Sequence, residues 1–166
     1  MRNRLKTHIN GLRIKQFGGD ILSSEAFSKA MSQKHHCRSS VAKHSVLTAR
    51  VGLVLCDFFN KRGVELDPVK VVRISLLHDL GMLGRKERYR NNFVCGYLHP
   101  KNSAITAKEL WDDIDQKSIA AIRSHMWPLS LEMPHSKEAF VLCMADKIAA
   151  VGDWFPRRRT PEIVFA

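Results

Sequence analysis

Four histidines and two aspartates carry the chemistry that this chain offers: His44, His78, Asp79, His99, His125 and Asp146. His78 and Asp79 are adjacent, and the others are spread so that nearly every expected core helix brings one ligand-type group. Neutral imidazole nitrogens and carboxylate oxygens are the ligands that borderline divalent metals accept. Four imidazoles with two carboxylates can hold one or two ions and leave positions open for water. A metal-activated hydrolase is therefore the first expectation.

Both carboxylates sit in apolar surroundings. Asp79 follows LLH, and Asp146 lies inside VLCMADKIAA. Burying an unpaired carboxylate is strongly unfavourable or forces its protonation, so metal ligation or ion pairing must compensate. The plainer alternative is that Asp146 pairs with a nearby lysine and Asp79 merely closes its helix. His8, His35 and His135 read as ordinary core or surface imidazoles.

The elements that must position these groups follow from caps and periodicity. Residues 1–22 are basic and contain Gly11, Gly18 and Gly19, which predicts an irregular lead-in with at most one short helix. Ser23 or Ser24 caps a helix to about Lys34, with Ala26, Phe27, Ala30 and Met31 on its apolar side. A longer helix runs from Ser39 or Ser40 to about Lys61, where Gly63 terminates it. Asp67-Pro68 starts the next, because the carboxylate caps free amides and proline is tolerated in the first turn. Gly81 and Gly84 end it and leave His78 and Asp79 in its last turn. Residues 84–98 read as a basic, aromatic loop, a candidate lid. Pro100 opens a helix through about Asp112 with His99 just before it, and Asp115 caps another reaching His125. Pro128 and Pro134 bracket a turn. Ser136 starts the last core helix, which carries Phe140, Val141, Met144, Asp146, Ile148 and Val151.

No repeat and no convincing strand set interrupts this pattern, so the expected fold is an all-α, single-domain helical bundle. Its parts are a basic lead-in (1–22), the helical domain (23–152) and a C-terminal tail (153–166). A chain of 166 residues is long enough to bury a core without staples. Apolar stretches are short and interrupted by charge, and the N-terminus lacks a signal-peptide pattern, so a cytoplasmic protein without a membrane span is expected. Cys37, Cys56, Cys95 and Cys143 are widely separated and form no CxxC pair, which predicts free thiols rather than a zinc cluster. Lys and Arg number 27 against 16 Asp and Glu, a net charge of +11 that attracts phosphorylated ligands or nucleic acid. No zinc finger, RNP-like motif or helix-turn-helix accompanies that charge.

The ordered set KHSVLTA, LLHDLG and MADKIAA, around His44, His78-Asp79 and Asp146, resembles the HD-domain metal-dependent phosphohydrolases over about residues 36–152. HPKNSAITAKEL and IRSHMWPL are similar to the two extra histidine segments of HD proteins that hold two metals. The resemblance implies that His44, His78, Asp79 and Asp146 bind a first ion, that Asp79 bridges to a second, and that His99 and His125 complete the second site. In ligand pattern the chain looks like the six-ligand, dinuclear bacterial type that splits symmetrical dinucleoside tetraphosphates. The branch that reads cyclic dinucleotides through a HHExxDGxGYP segment fits poorly. Where many relatives have lysine after the HD pair, this chain has Met82, so Arg85 or Lys86 takes over its phosphate contact or the contact is missing. His36, upstream of His44, either points toward the substrate or is a capping or surface residue.

The reaction so implied is hydrolysis of a phosphate ester or phosphoanhydride, of a nucleotide or dinucleoside polyphosphate, by a metal-activated hydroxide. If one ion binds, His99 and His125 polarise water or protonate the leaving oxygen instead. Arg85 and Lys101 border ligand-bearing segments and are the first choices for contacts to further phosphate oxygens. Residue types leave the metal open among Fe, Mn, Zn, Co, Ni and Mg. They do not fix oligomeric state. The rival classes are a non-hydrolytic nucleotide- or metal-binding regulatory module on the same fold, and a helical nucleic-acid-binding protein.

Overall fold

The computed structural model describes the backbone of residues 2–35 and 39–154 and the side chains of 8–35 and 39–152. Among them the fold is all-helical: α1 (Arg2–Leu22), α2 (Glu25–Ser32), α3 (Val41–Asn60), α4 (Pro68–Leu77), a 3-10 turn (Leu80–Met82), α5 (Arg85–Arg88), α6 (Asn92–Leu110), α7 (Gln116–Ser124) and α8 (Lys137–Trp154). No strand occurs among the described residues beyond an isolated antiparallel bridge between Lys34 and Ser40. None of their helices is long and apolar enough to cross a membrane.

Side-chain caps fix where the helices begin. Ser24 Oγ accepts from Phe27 N (3.1 Å), and Ser40 caps α3 through Lys43 N (3.3 Å). Asp67 accepts from Val69 N (2.8 Å) and Lys70 N (3.2 Å), with Pro68 in the first turn. Asp115 and Ser136 cap α7 and α8 as the sequence predicts, accepting from Ser118 N (2.6 Å) and Ala139 N (3.1 Å). At the far end of α3 the chain turns through Gly63 at φ 82°, a backbone conformation that favours glycine.

Helix α3 is the centre of the bundle and packs most extensively on α4 and α8. Leu53, Ile74, Leu76, Leu77 and Leu142 are fully buried there. Removing each such side chain from water stabilises the fold by about 1.5–3 kcal/mol. This core holds the ends of α4, α6 and α7 in fixed relation.

Four expectations need correction. The N-terminal segment is a 21-residue helix with a break at Gly18 (φ −137°, ψ 26°), not an irregular lead-in. Ile14 and Ile21 are buried, and Phe17 packs on the same cluster. Gly18 lies between them, where an added Cβ would stand 2.4 Å from Leu76 Cδ1 of α4. The glycines suggested a loop, whereas here one serves close helix approach. Arg13 and Asp20 tie α1 down through two-pronged pairs with Asp57 (3.0 and 2.9 Å) and Arg73 (both 2.9 Å).

Residues 84–98 are not a free loop. They form α5 and the first turns of α6, which Asn91 caps through Val94 N (2.9 Å). Pro100 lies inside α6 rather than opening it. Proline interrupts the hydrogen bond to residue i−4, which is Gly96, the least crowded residue for that position. His78 and Asp79 lie just beyond α4 instead of in its last turn: α4 ends at Leu77, and Asp79 (φ −112°, ψ 5°) leads into the 3-10 turn. On α8, Phe140, Ile148 and Val151 are exposed, while Ala139, Val141, Leu142, Ala145 and Ala149 face the core. The C-terminal segment from 155, and His36, lie outside the described residues.

Candidate metal centre

The six expected groups converge. His44 comes from the first turn of α3, His78 and Asp79 from the turn after α4, His99 from the middle of α6, His125 from the end of α7 and Asp146 from the middle of α8. All are buried. A seventh group, His35, joins them from the segment after α2 and is 7% exposed.

Asp79 sits at the centre, and its two oxygens divide the imidazoles. Oδ2 lies 2.9 Å from His35 Nε2, 3.4 Å from His78 Nε2 and 3.9 Å from His44 Nε2. Oδ1 lies 3.2 Å from His99 Nε2 and 3.6 Å from His125 Nε2. Asp146 Oδ1 stands 2.9 Å from His44 Nε2 and 3.4 Å from His78 Nε2. Three groups therefore have ligand atoms mutually close enough for one ion: His35, His44 and Asp79; His44, His78 and Asp146; His78, Asp79 and His125.

Tautomers follow from the backbone. Nδ1 of His78, His99 and His125 lies 2.8, 2.9 and 2.7 Å from the carbonyl oxygens of Ser75, Cys95 and Ile122. A carbonyl oxygen only accepts, so each Nδ1 carries the proton and donates it. In the neutral rings Nε2 is then a bare lone pair aimed at the cluster. That carbonyl contact is the usual way a metal-ligating histidine is oriented. His99 Nε2 and His125 Nε2 nonetheless stand 3.0 Å apart. Two lone pairs at that distance repel unless a cation or proton lies beside them. His78 Nε2 is buried with no well-formed hydrogen bond, its nearest acceptors being Asp79 Oδ2 and Asp146 Oδ1, both at 3.4 Å. These residues fit a divalent ion: the donors are of the right chemistry and converge on one buried space.

Electrostatics point the same way. Burial pushes the His125 imidazole down to about 4, against the opposing pull of Asp79, and keeps it neutral. Burial likewise lowers His35, although the Asp79 charge resists. Burial alone would raise the Asp79 carboxyl, but the charge of His78 and the approach of His35 hold it well below the usual range. Asp146 behaves similarly, with burial overcome by contact with His44 and His78. His78 moves upward, because Asp79 and Asp146 outweigh the burial that favours its neutral form. Two buried carboxylates thus draw positive charge to the cluster, and the upward shift of His78 is one expression of that pull.

The cluster opens into a cavity of about 550 Å³. His35, Asp79, His99 and Asp146 line its floor, Arg85 and Lys147 its rim, and Met82, Met126, Pro128 and Leu129 an apolar wall. Arg85 donates to His35 O (2.8 Å) and Asn92 Oδ1 (2.6 Å), which fixes its guanidinium. Lys147 donates to His125 O (3.1 Å) and so braces the end of α7. Lys101 is exposed on α6 and does not line the cavity.

Gly81 explains how the HD turn and α6 keep their distance. A Cβ there would lie 2.3 Å from Ser103 N and 2.7 Å from His99 O, so only glycine permits this approach. Gly81 N donates to Ser103 Oγ (2.9 Å), and Tyr89 OH donates to Gly81 O (2.8 Å) while accepting from Asn102 Nδ2 (2.7 Å). Tyr89 is buried and braces the site.

His35 was read as an ordinary imidazole, whereas the structure stacks it on His44 with ring centroids 4.0 Å apart. Its segment is extended: His35 N donates to Ser39 O (2.9 Å) beside the Lys34–Ser40 bridge. No sequence signal marks His35 for this place.

Comparison with known protein families matches residues 41–151 to the HD domain. No curated protein and no solved structure matches the chain. The match spans His44 through Asp146 and leaves His35 outside. This chain belongs to the HD-domain family, a superfamily of metal-dependent phosphohydrolases.

Proposed function

We propose that the protein hydrolyses a phosphate ester or phosphoanhydride of an organic phosphate, with a nucleotide or dinucleoside polyphosphate as the substrate class. The observation that carries this reading is the convergence of the Nε2 atoms of His99 and His125, 3.0 Å apart, beside Asp79 Oδ1. His44, His78, Asp146 and Asp79 Oδ2 would hold one ion, with His35 at its edge. His99, His125 and Asp79 Oδ1 would hold a second. Ions so held supply Lewis acidity toward phosphoryl oxygens and lower the pKa of water.

The chain's own residues supply the remainder. Backbone carbonyls of Ser75, Cys95 and Ile122 orient the imidazoles and fix their tautomers. The pinned guanidinium of Arg85 keeps further N–H donors for a phosphoryl oxygen, since it carries five in all. The ammonium of Lys147 adds positive charge at the rim. The apolar wall around Met82, Met126 and Leu129 suits the organic part of the substrate.

The test is phosphate or mononucleotide release from a panel of phosphate monoesters, nucleoside polyphosphates and dinucleoside polyphosphates, after loading with Mn²⁺ or Fe²⁺. Release by the wild type that falls to background in Asp79→Asn supports the reading. A metal-loaded wild type with no turnover on any member overturns it in favour of a non-hydrolytic binding module.

A further inference from the structure

A second chamber of about 590 Å³ adjoins the metal-centre cavity. The two share His35, Arg85, Asn92 and Cys95 as a common wall. The second is basic. Lys34, Arg85, Lys86 and Arg90 line it, and no carboxylate does among the described residues. Asn91 and Asn92, the cap and first residue of the long helix α6, also line it and bring the positive end of that helix to the same space. A cavity of similar size elsewhere, about 520 Å³, contrasts with this: Asp20, Glu25 and Glu109 there offset Lys29 and Arg88. A one-signed lining is thus a property of the chamber beside the centre and not a general consequence of net charge.

The chamber is partly built rather than a chance meeting of surface lysines. Arg85 is pinned between His35 O and Asn92 Oδ1 and faces both spaces. Its segment is fastened through Tyr89, whose hydroxyl bonds Gly81 O and Asn102. Any anion entering from this side therefore meets a fixed fork of donors next to the Asp79 cluster and exposed ammonium and guanidinium groups behind it.

We propose that this chamber is a subsite for a second phosphate group of the same small molecule whose first phosphate lies at the His/Asp centre. The substrate is then a compound with at least two separate phosphate positions, not a simple monophosphate. What occupies the centre rests on the phosphohydrolase reading, but occupancy of the chamber can be measured without turnover.

The experiment is calorimetric titration of the full, metal-free chain at physiological ionic strength with orthophosphate, tripolyphosphate and adenosine 3′,5′-bisphosphate. Lys86→Ala/Arg90→Ala removes two exposed cations of the chamber, and Lys117→Ala/Lys137→Ala removes two exposed lysines of α7 and α8 as a control for net charge. A lost charge-assisted hydrogen bond corresponds to about tenfold or more in affinity. The wild type and the control are expected to prefer one of the two polyphosphorylated probes over orthophosphate by at least about tenfold, and Lys86→Ala/Arg90→Ala to lose that preference. Lys86→Arg alone should retain it. A preference confined to tripolyphosphate assigns the second phosphate to a linear chain, and one confined to the bisphosphate assigns it to the far side of a sugar. Equal affinity for all three probes, or equal losses in the chamber and control variants, overturns the proposal whether or not the protein proves to be a hydrolase.

Discussion

His99 Nε2 and His125 Nε2 face each other at 3.0 Å while the opposite nitrogen of each ring donates to a backbone carbonyl. Neither ring has a hydrogen left for the contact when neutral, and burial holds His125 neutral down to about pH 4. With both rings neutral, helices α6 and α7 therefore bring together two lone pairs, which an added cation or a proton reconciles.

Divalent metal should consequently stabilise the protein. At free metal about a hundredfold above its dissociation constant, preferential binding to the folded chain adds about 2.7 kcal/mol. Thermal unfolding of chelated protein, before and after addition of Mn²⁺ or Zn²⁺, measures this. The melting temperature should rise for the wild type and rise less for His99→Ala.

Gly81→Ala should destabilise the fold by roughly 3 kcal/mol or more, because its Cβ would meet the backbone of Asn102 and Ser103, which cannot yield as a side-chain tip can. Urea unfolding checks it. An effect below about 1 kcal/mol would show that α6 can move away from the HD turn.

Tyr89→Phe removes the hydroxyl that links Gly81 O to Asn102 and leaves a buried carbonyl short of a partner. Stability should fall by about 1–3 kcal/mol in the same assay.

For pH dependence, His125 takes up its proton near 6.5 when unfolded and near 4 when folded. Between those values the unfolded chain binds the proton and the folded chain does not, so the stability present above about pH 6.5 is lost as pH falls toward 4. In chelator, wild-type stability should decline more steeply across that window than that of His125→Gln. Equal slopes would mean that His125 is protonated in the fold.

The bundle was largely legible because Ser24, Ser40, Asp67, Asp115 and Ser136 act as caps through local hydrogen bonds, which a sequence exposes. The convergence of His44, His78, Asp79, His99, His125 and Asp146 was legible from their placement on helices and from family resemblance. Position in space decided the rest. Gly18 reads as a breaker until Leu76 is placed against it. Pro100 reads as a helix start until the cap at Asn91 and the bare Gly96 show how a helix can run through it. The place of His35 depends on how the short segment after α2 bridges back to Ser40, and the uselessness of Lys101 to the cavity depends on which side of α6 it occupies.

The most direct test of the centre is the metal content of protein purified without chelator and equilibrated with Mn²⁺ or Fe²⁺, measured by elemental analysis for the wild type, His99→Ala/His125→Ala and Asp79→Asn. A divided Asp79 with imidazoles on each oxygen predicts about two ions in the wild type, about one in the double variant and well under one in Asp79→Asn. A wild type that holds no divalent metal would contradict the account.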